Sequence, residues 1–410
     1  MSKVIGLDSE IAIVGAGIAG LALAFALARS GATRVQIFER RTELRELGAG
    51  LQLGPNATRI LIGWGLERAL LEASSQFQKG VLRSALSNRR LADISLNDRA
   101  MSTYGAPNCQ LARDQLHDML WQALINTLGY DPVILGAEIS AVACSAERPS
   151  LTKSMGDEHE FDIIFAGDGV HSAIRSSLFP DGPSPTYSGY YAWRGVVNRE
   201  NLPPDMKINT MCVWLDEEKH LVAYPINDGA HINLVGLSEH PTWHEASGVV
   251  SVSSSEWLKE CEHWQNEPKQ LIAALDSCQK WALATMPPLP SWNSGAVGLL
   301  GDAAHPMLPS LAQGAAQAIE DAQCLTALVS TQEYSAETLL NTYFQARIAR
   351  ATRVQQVALW NLEFFHRPRT VATSLRDLAM RAGGPLTTYF IARRYRWLYG
   401  KPVLKSPSEN

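Results

Sequence analysis

The stretch IAIVGAGIAG, residues 11–20, constrains this chain more than any other part of it. A short apolar run, suited to a buried strand, leads straight into Gly15-x-Gly17-x-x-Gly20, and LALAFALARSG continues as a helix capped at Gly31. RVQIFERR then reads as a second strand closing on Glu39. A strand–turn–helix–strand unit of this kind binds a dinucleotide. Gly15 permits the tight turn, Gly17 lets backbone N–H groups reach a pyrophosphate at the helix N-terminus, and Gly20 lets helix and strand pack closely. Ala19 lies within the turn. Glu39, followed by Arg40, stands nineteen residues past Gly20, where an acid can hydrogen-bond ribose hydroxyls. The motif by itself does not separate NAD from FAD.

The same region has a second reading. Residues 11–28 are uncharged, which meets the minimum length for a membrane-spanning helix, and Lys3 ahead with ALARSGA behind gives the outline of a signal peptide. Glycines at the dinucleotide spacing explain the run better, so no transmembrane segment is expected. A net charge of −5 with 19% charged residues gives no electrostatic reason to expect nucleic acid or an anionic membrane as partner. With 46% hydrophobic residues over 410 positions there is core enough for two or three domains, or for one large domain with an insertion. The six cysteines include no C-x-x-C pair and no Cys/His set with zinc spacing, which reads as reduced thiols in a cytoplasmic protein and no metal site.

Two later segments narrow the ligand. FDIIFAGDGVHSAIR (161–175) is an apolar strand followed by Gly167-Asp168-Gly169, and AVGLLGDAAHP (296–306) is another ending in Gly301-Asp302. Both set an aspartate at the C-terminal end of a buried strand, the edge where ligands bind in an open α/β sheet. Two such acids far apart in sequence suit a long ligand gripped at several points. FAD is such a ligand, and Asp302 can accept bonds from its ribityl hydroxyls. The loop 301–313 then delivers a helix whose apolar residues fall at 315, 318, 319, 322, 325, 328 and 329. Its N-terminus, near Gln313 and Gly314, carries free N–H donors and partial positive charge that would stabilise a reduced flavin. His305, ahead of a proline in this loop, reads as a structural hydrogen-bonder rather than a base.

The set GAGIAG, GDGVHSAIR and GDAAHPMLPSLAQGAAQAIED resembles the flavin-dependent aromatic hydroxylases, the single-component FAD monooxygenases. It is most similar to the branch containing salicylate, 3-hydroxybenzoate and 6-hydroxynicotinate hydroxylases. The resemblance runs from residue 10 to about 350, and YYAWRGVV and LVAYPI share it. It implies an α/β fold: a discontinuous Rossmann-type FAD domain with an inserted antiparallel substrate sheet and a helical C-terminus. It also implies a cycle in which NADH or NADPH reduces FAD, O2 adds at flavin C4a, and the hydroperoxide hydroxylates an activated phenolic or pyridinol ring. It puts Pro309 against the flavin beside the substrate, and Arg113, in NCQLARDQLHDML, near the FAD phosphates and ribityl chain. Pro309-Ser310 departs from relatives that carry glutamine or histidine there, so their substrates do not transfer directly.

Residues 186–237 change period to short strands. In a strand, alternate side chains share a face, so His220, Val222 and Tyr224 point one way and Leu221 and Ala223 the other. In the resembled branch a histidine and tyrosine at this spacing occupy the active site, and the histidine is the base for the substrate hydroxyl. A histidine suits that proton near neutral pH, and a phenolate ring is richer in electrons than a phenol. Gln52, Arg194 and Cys212 are weaker substrate candidates. Arg194 can pair a substrate carboxylate, although a surface salt bridge is its commoner role.

The expected division is an FAD-binding part of residues 1–75, 105–180 and 280–345, a substrate sheet of 76–104 and 181–279, and a helical segment of 346–410. The segment 334–365 reads as one long helix, a candidate oligomer contact in a monomer or homodimer. The tail YFIARRYRWLYGKP is expected to pack its aromatics on the body and leave its arginines wet. The other readings are a flavin-dependent epoxidase, a urate-type hydroxylase, and a non-catalytic carrier that reuses the fold, as GDP-dissociation inhibitors do. Intact Gly15, Gly17, Gly20 and Asp302 argue against the last.

Overall fold

In the computed structural model, the structure describes residues 3–44, 49–145, 148–245, 247–331, 333–366, 368, 370, 384 and 393–400. Two sheets organise the chain. The first has six strands in the order Asn293–Ser294, Val297–Leu299, Ile163–Ala166, Ile11–Val14, Val35–Phe38, Val133–Ile134. All neighbouring pairs are parallel except the edge pair Asn293–Ser294 with Val297–Leu299. Ile11–Val14 and Ile163–Ala166 are buried at every position, as strands covered on both faces must be, and hence read as unbroken apolar runs.

Register lines up the ends of these strands. Val14 pairs with Ala166 and with Phe38, and Ala166 pairs with Leu299. The residues that follow, Gly15, Glu39, Gly167-Asp168 and Gly301-Asp302, therefore emerge along one carboxyl edge. The uncharged run 11–28 divides between a strand and the helix Ile18–Arg29. Among the described residues no helix is long and apolar enough to cross a membrane.

The second sheet has eight strands in the order Val249–Val252, Cys278–Thr285, Thr186–Asn198, His231–Glu239, Lys219–Ile226, Cys212–Leu215, Lys79–Ser84, Arg90–Ser95. It is antiparallel apart from one junction: Cys212–Leu215 runs parallel to Lys79–Ser84, a strand supplied from the earlier part of the chain. The inserted sheet is otherwise antiparallel, as expected, and this junction is its one parallel pair. The strand Cys278–Thr285 also runs past residue 279. One face carries a dry core of Trp193, Trp214, Leu221, Ala223 and Leu234 under Trp257 and Trp264. Trp193 and Trp257 stack at 5.5 Å. The other face turns towards the first sheet.

Helix Gly314–Thr331 packs on Ile18–Arg29, and the long helix Ala336–Phe365 packs on Gly314–Thr331. Their contact holds buried charge. Arg347 meets Glu320 at 2.5 Å and Asp321 at 2.8 Å, with all three side chains sealed from solvent. Asp321 Oδ2 also takes the Gly301 N–H at 2.9 Å and the His305 ring Nε2 at 2.7 Å. Burial pushes the Asp321 carboxyl up, but His305 and Arg347 outweigh it and bring it down to about 2. A depressed carboxyl stabilises the fold above the ordinary carboxylate range and loses that contribution as pH falls through its folded value. Of the tail 389–402, residues 393–400 are described; Leu398 is buried and Arg393, Arg394 and Arg396 are exposed.

Replacing Arg347 with Met leaves Asp321 and Glu320 buried without their principal cation. Breaking a buried pair from one side costs roughly 3–5 kcal/mol. Arg347→Met is expected to lower the midpoint of denaturant unfolding accordingly; a midpoint unchanged from the parent protein would show that the network contributes little.

Candidate active site

A continuous cleft of about 1530 Å³ runs between the two sheets. One end is the glycine turn. Gly15 has φ +98°, and a Cβ there would stand 2.7 Å from the Gly167 carbonyl oxygen. A Cβ on Gly20 would stand 1.9 Å from the Gly15 oxygen, so helix and strand meet at a distance only glycine permits. Beside Gly17, at the helix N-cap, a Cβ would meet nothing within 4 Å. The turn is thus tight on the protein side and open on the cleft side, as a phosphate cradle has to be. Glu39 shapes it: one carboxylate oxygen accepts from the Ala16 N–H and the other from the Arg41 N–H, each at 2.9 Å. His117 is bonded to the Ala16 carbonyl at 2.7 Å, and the exposed Arg40 lines the mouth.

The middle of the cleft carries the two aspartates and Arg113. Asp168 accepts weakly from the Ile174 N–H at 3.3 Å through Oδ2, while its Oδ1 is buried with no partner among the described residues. That is an acceptor waiting for a donor. Asp302 is reached by solvent along the cleft yet surrounded by protein deep in the molecule. Burial raises its pKa, and His305 and Arg113 partly offset this. Beyond it, Pro309 starts a short turn, Ala312 takes a left-handed φ of +51°, and the chain enters helix Gly314–Thr331 with no acid in its first turn. Gly314 and Ala315 line the cleft, so the helix N-terminus faces it. The Gln313 side chain is already engaged with Asn56 at 3.0 Å and Gln317 at 3.1 Å, which fixes this end of the helix. Ala19 packs between the turns at Gly167 and Gly301 and lines the cleft.

The far end is a largely apolar pocket on the eight-stranded sheet. His220, Val222 and Tyr224 face it, and Leu221 and Ala223 face the core. Tyr224 is buried; burial raises its pKa, and nearby Arg194 and a hydrogen bond with Gln52 act the other way. His220 is fully buried, with Nδ1 2.7 Å from Nε2 of His366. Burial, then the neighbouring His366, holds its pKa well below the usual histidine value.

Two expectations are corrected. Cys212 does not line the cleft: it pairs with Ala223 and packs in the tryptophan-rich core, while Met211 and Val213 on either side face the pocket. The alternation that placed His220 and Tyr224 excludes Cys212. Arg194 is not a surface salt bridge. Its guanidinium lies 4.9 Å over the Trp281 ring and lines the cleft, and its Nε is buried without a hydrogen-bond partner among the described residues. Burial, with Arg113 nearby, lowers its pKa to about 10. His305 is a structural hydrogen-bonder, as expected.

Sequence reasoning missed His117 and His366. His117 follows Arg113 by one helical turn, a spacing that shows both on one face of helix Arg113–Leu128. His366, just past the end of the long helix, had no local signal at all.

The family model for FAD binding domain matches residues 8–358. The chain is 32% identical over 399 residues to 3-hydroxybenzoate 6-hydroxylase 1 of Aquipseudomonas alcaligenes, covering 97% of this chain and 99% of that protein. It is 33% identical over 358 residues to 6-hydroxynicotinate 3-monooxygenase of Bordetella bronchiseptica, covering 85% and 90%. A solved salicylate hydroxylase substrate complex superposes with a TM-score of 0.79 at 25% identity, over 97% of this chain and 96% of the other.

Asp302→Ala removes an acceptor from the middle of the cleft without touching the core. A hydrogen bond to a charged group is worth about 1.5–3 kcal/mol, so the affinity for FAD is expected to fall roughly ten- to a hundredfold by fluorescence titration. Unchanged affinity would remove Asp302 from the site.

Proposed function

Because the chain belongs to the FAD binding domain family, we propose that its cleft hydroxylates a phenolic or pyridinol ring carrying a carboxylate. It is an FAD-dependent aromatic monooxygenase that uses NAD(P)H and O2. Bound FAD supplies electron transfer from the nicotinamide to O2 and delivery of one oxygen atom to the ring.

The chain's own residues divide the work along the cleft. The turn Gly15–Gly20, with Ala19, receives the pyrophosphate. Glu39 and Arg40 attend the adenosine end. Asp168, Asp302 and Arg113 hold the middle. The N–H groups at Gln313 and Gly314 would serve the flavin end of a bound FAD, where their partial positive charge would stabilise a reduced ring. Pro309 would lie against the flavin, beside the substrate ring. The Nε2 of His220 takes the proton of the ring hydroxyl, which raises the electron density of the ring. Tyr224 and Gln52 fix the ring's orientation.

Arg194 is the observation that carries the substrate class. It is a cation in a largely apolar pocket, stacked on Trp281, with its Nε unpartnered among the described residues. A buried cation needs an anion, and a ring carboxylate or phenolate supplies one. His220 supports the same reading: its lowered pKa leaves it unprotonated at neutral pH, able to accept a proton. The proposal includes a reducing, cytoplasmic setting, supported by six cysteines that are all free.

The test is a panel of hydroxylated benzoates and nicotinates beside the same rings without the carboxylate, following NAD(P)H oxidation and hydroxylated product. Arg194→Met is expected to raise KM for the acids roughly ten- to a hundredfold and to leave the uncharged phenols within about threefold. Equal losses on both sets, or no phenolic acid that yields product, would refute the carboxylate reading.

A further inference from the structure

His220 has a second histidine against it. His366, which follows the long helix Ala336–Phe365, lies against it with ring centroids 4.9 Å apart and a 2.7 Å bond between His220 Nδ1 and His366 Nε2. Both rings are buried. His366 is itself held in place. Its backbone N–H donates to the Leu362 carbonyl, its carbonyl accepts from the Glu218 N–H, and Tyr190 lies against its ring at 5.7 Å.

A neutral imidazole has one N–H and one lone pair, so the bond between the two rings determines which nitrogen of His220 is free to act as a base. Only when His220 donates from Nδ1 and His366 accepts at Nε2 does His220 Nε2 present a lone pair to the cleft. We propose that His366 is a positioning residue that holds His220 in this base-competent tautomer and shares the positive charge when the substrate proton arrives. The inference rests on the reading of His220 as the base. The step balances within the pair: the ring O–H bond breaks, its proton joins His220 Nε2, and the resulting imidazolium donates its Nδ1–H to His366 in a charge-assisted bond.

Among the described residues, few other groups stand near enough to share that charge. Near the pair, among the described residues, are Lys219 on the same strand as His220, Glu218 just before it, Tyr190 on Thr186–Asn198, one strand beyond the neighbouring His231–Glu239, Glu239 behind the Tyr190 hydroxyl at 3.5 Å, and Glu363 on the long helix. The pKa of His366 is lowered to about 3 by burial and by Lys219, so at neutral pH it is the uncharged acceptor this role needs.

The test compares His366→Leu, which has no acceptor, with His366→Gln, whose amide oxygen can take the His220 proton. One readout is the visible titration of bound 4-hydroxy-3-nitrobenzoate, whose phenolate is coloured; the other is the pH profile of turnover. His366→Leu is expected to raise the pH at which the bound phenol ionises by about one unit, and to cut neutral-pH turnover roughly tenfold with recovery at alkaline pH. His366→Gln is expected to stay within about threefold of the parent, and FAD affinity to be unchanged in both. Equal losses in both variants at every pH, or a ligand titration unmoved in His366→Leu, would overturn the role of His366. A His220→Ala protein with the parent's pH profile would instead overturn the base reading itself.

Discussion

Asp321 and Glu320 hold together groups that the sequence sets far apart. Asp321 takes the guanidinium of Arg347, the ring of His305 and the amide of Gly301. Glu320 takes Arg347, Arg350 and the amide of Asn56. Ions sealed from water are costly, and here each acidic oxygen is answered by a charged or polar donor, which offsets much of that cost. What the network secures is position. The Gly301 amide fixes the start of the loop that carries Asp302, and His305 fixes its middle. Gln313, held by Asn56, fixes the end where the helix begins. Arg350 also donates to the carbonyls of Trp397 and Leu398, so the same charges tie down the C-terminal segment beside the cleft.

The cleft built on this footing is graded in character. At the glycine turn it offers backbone N–H groups and shaped emptiness. In the middle it offers acceptors, Asp168 and Asp302, and the cation of Arg113. At the sheet it becomes largely apolar, with Arg194, Tyr224, Gln52 and His220 as polar groups among the described residues. A long ligand with phosphates, a polyhydroxyl chain and a flat ring matches that order from end to end. The second sheet can offer such a face because its opposite face is closed by Trp193, Trp214, Trp257 and Trp264. Strand alternation alone separates the two, which is why neighbours such as Cys212 and Val213 have unrelated surroundings.

Much of this was legible in sequence where the signal is local. The Gly15–Gly20 turn, Glu39 and the two Gly-Asp pairs each announce a strand end through residues within a few positions. The period of two around His220 and Tyr224 was equally visible. Where reading failed, the cause was distance along the chain. Arg194 resembles any strand arginine until the Trp281 strand is laid beside it. The parallel junction of Cys212–Leu215 with Lys79–Ser84 joins segments more than a hundred residues apart. Cys212 was misplaced although the alternation rule applied to it, because the rule was used on one strand and not on its neighbour. His366 lies 146 positions from His220 and follows a helix whose local pattern says only that it is long.

The account stands on one claim about space: flavin and substrate share a single cleft, with the ring of the flavin lying between the helix start at Gly314 and the pocket of His220 and Arg194. A crystal structure of the flavin-loaded protein tests it directly. The account predicts density for the phosphates at Gly15–Gly20 and for the isoalloxazine ring beside Gly314 and Pro309, with one ring face towards Arg194 and His220. Ring density elsewhere, or a pocket at His220 closed off from the flavin by protein, would contradict it.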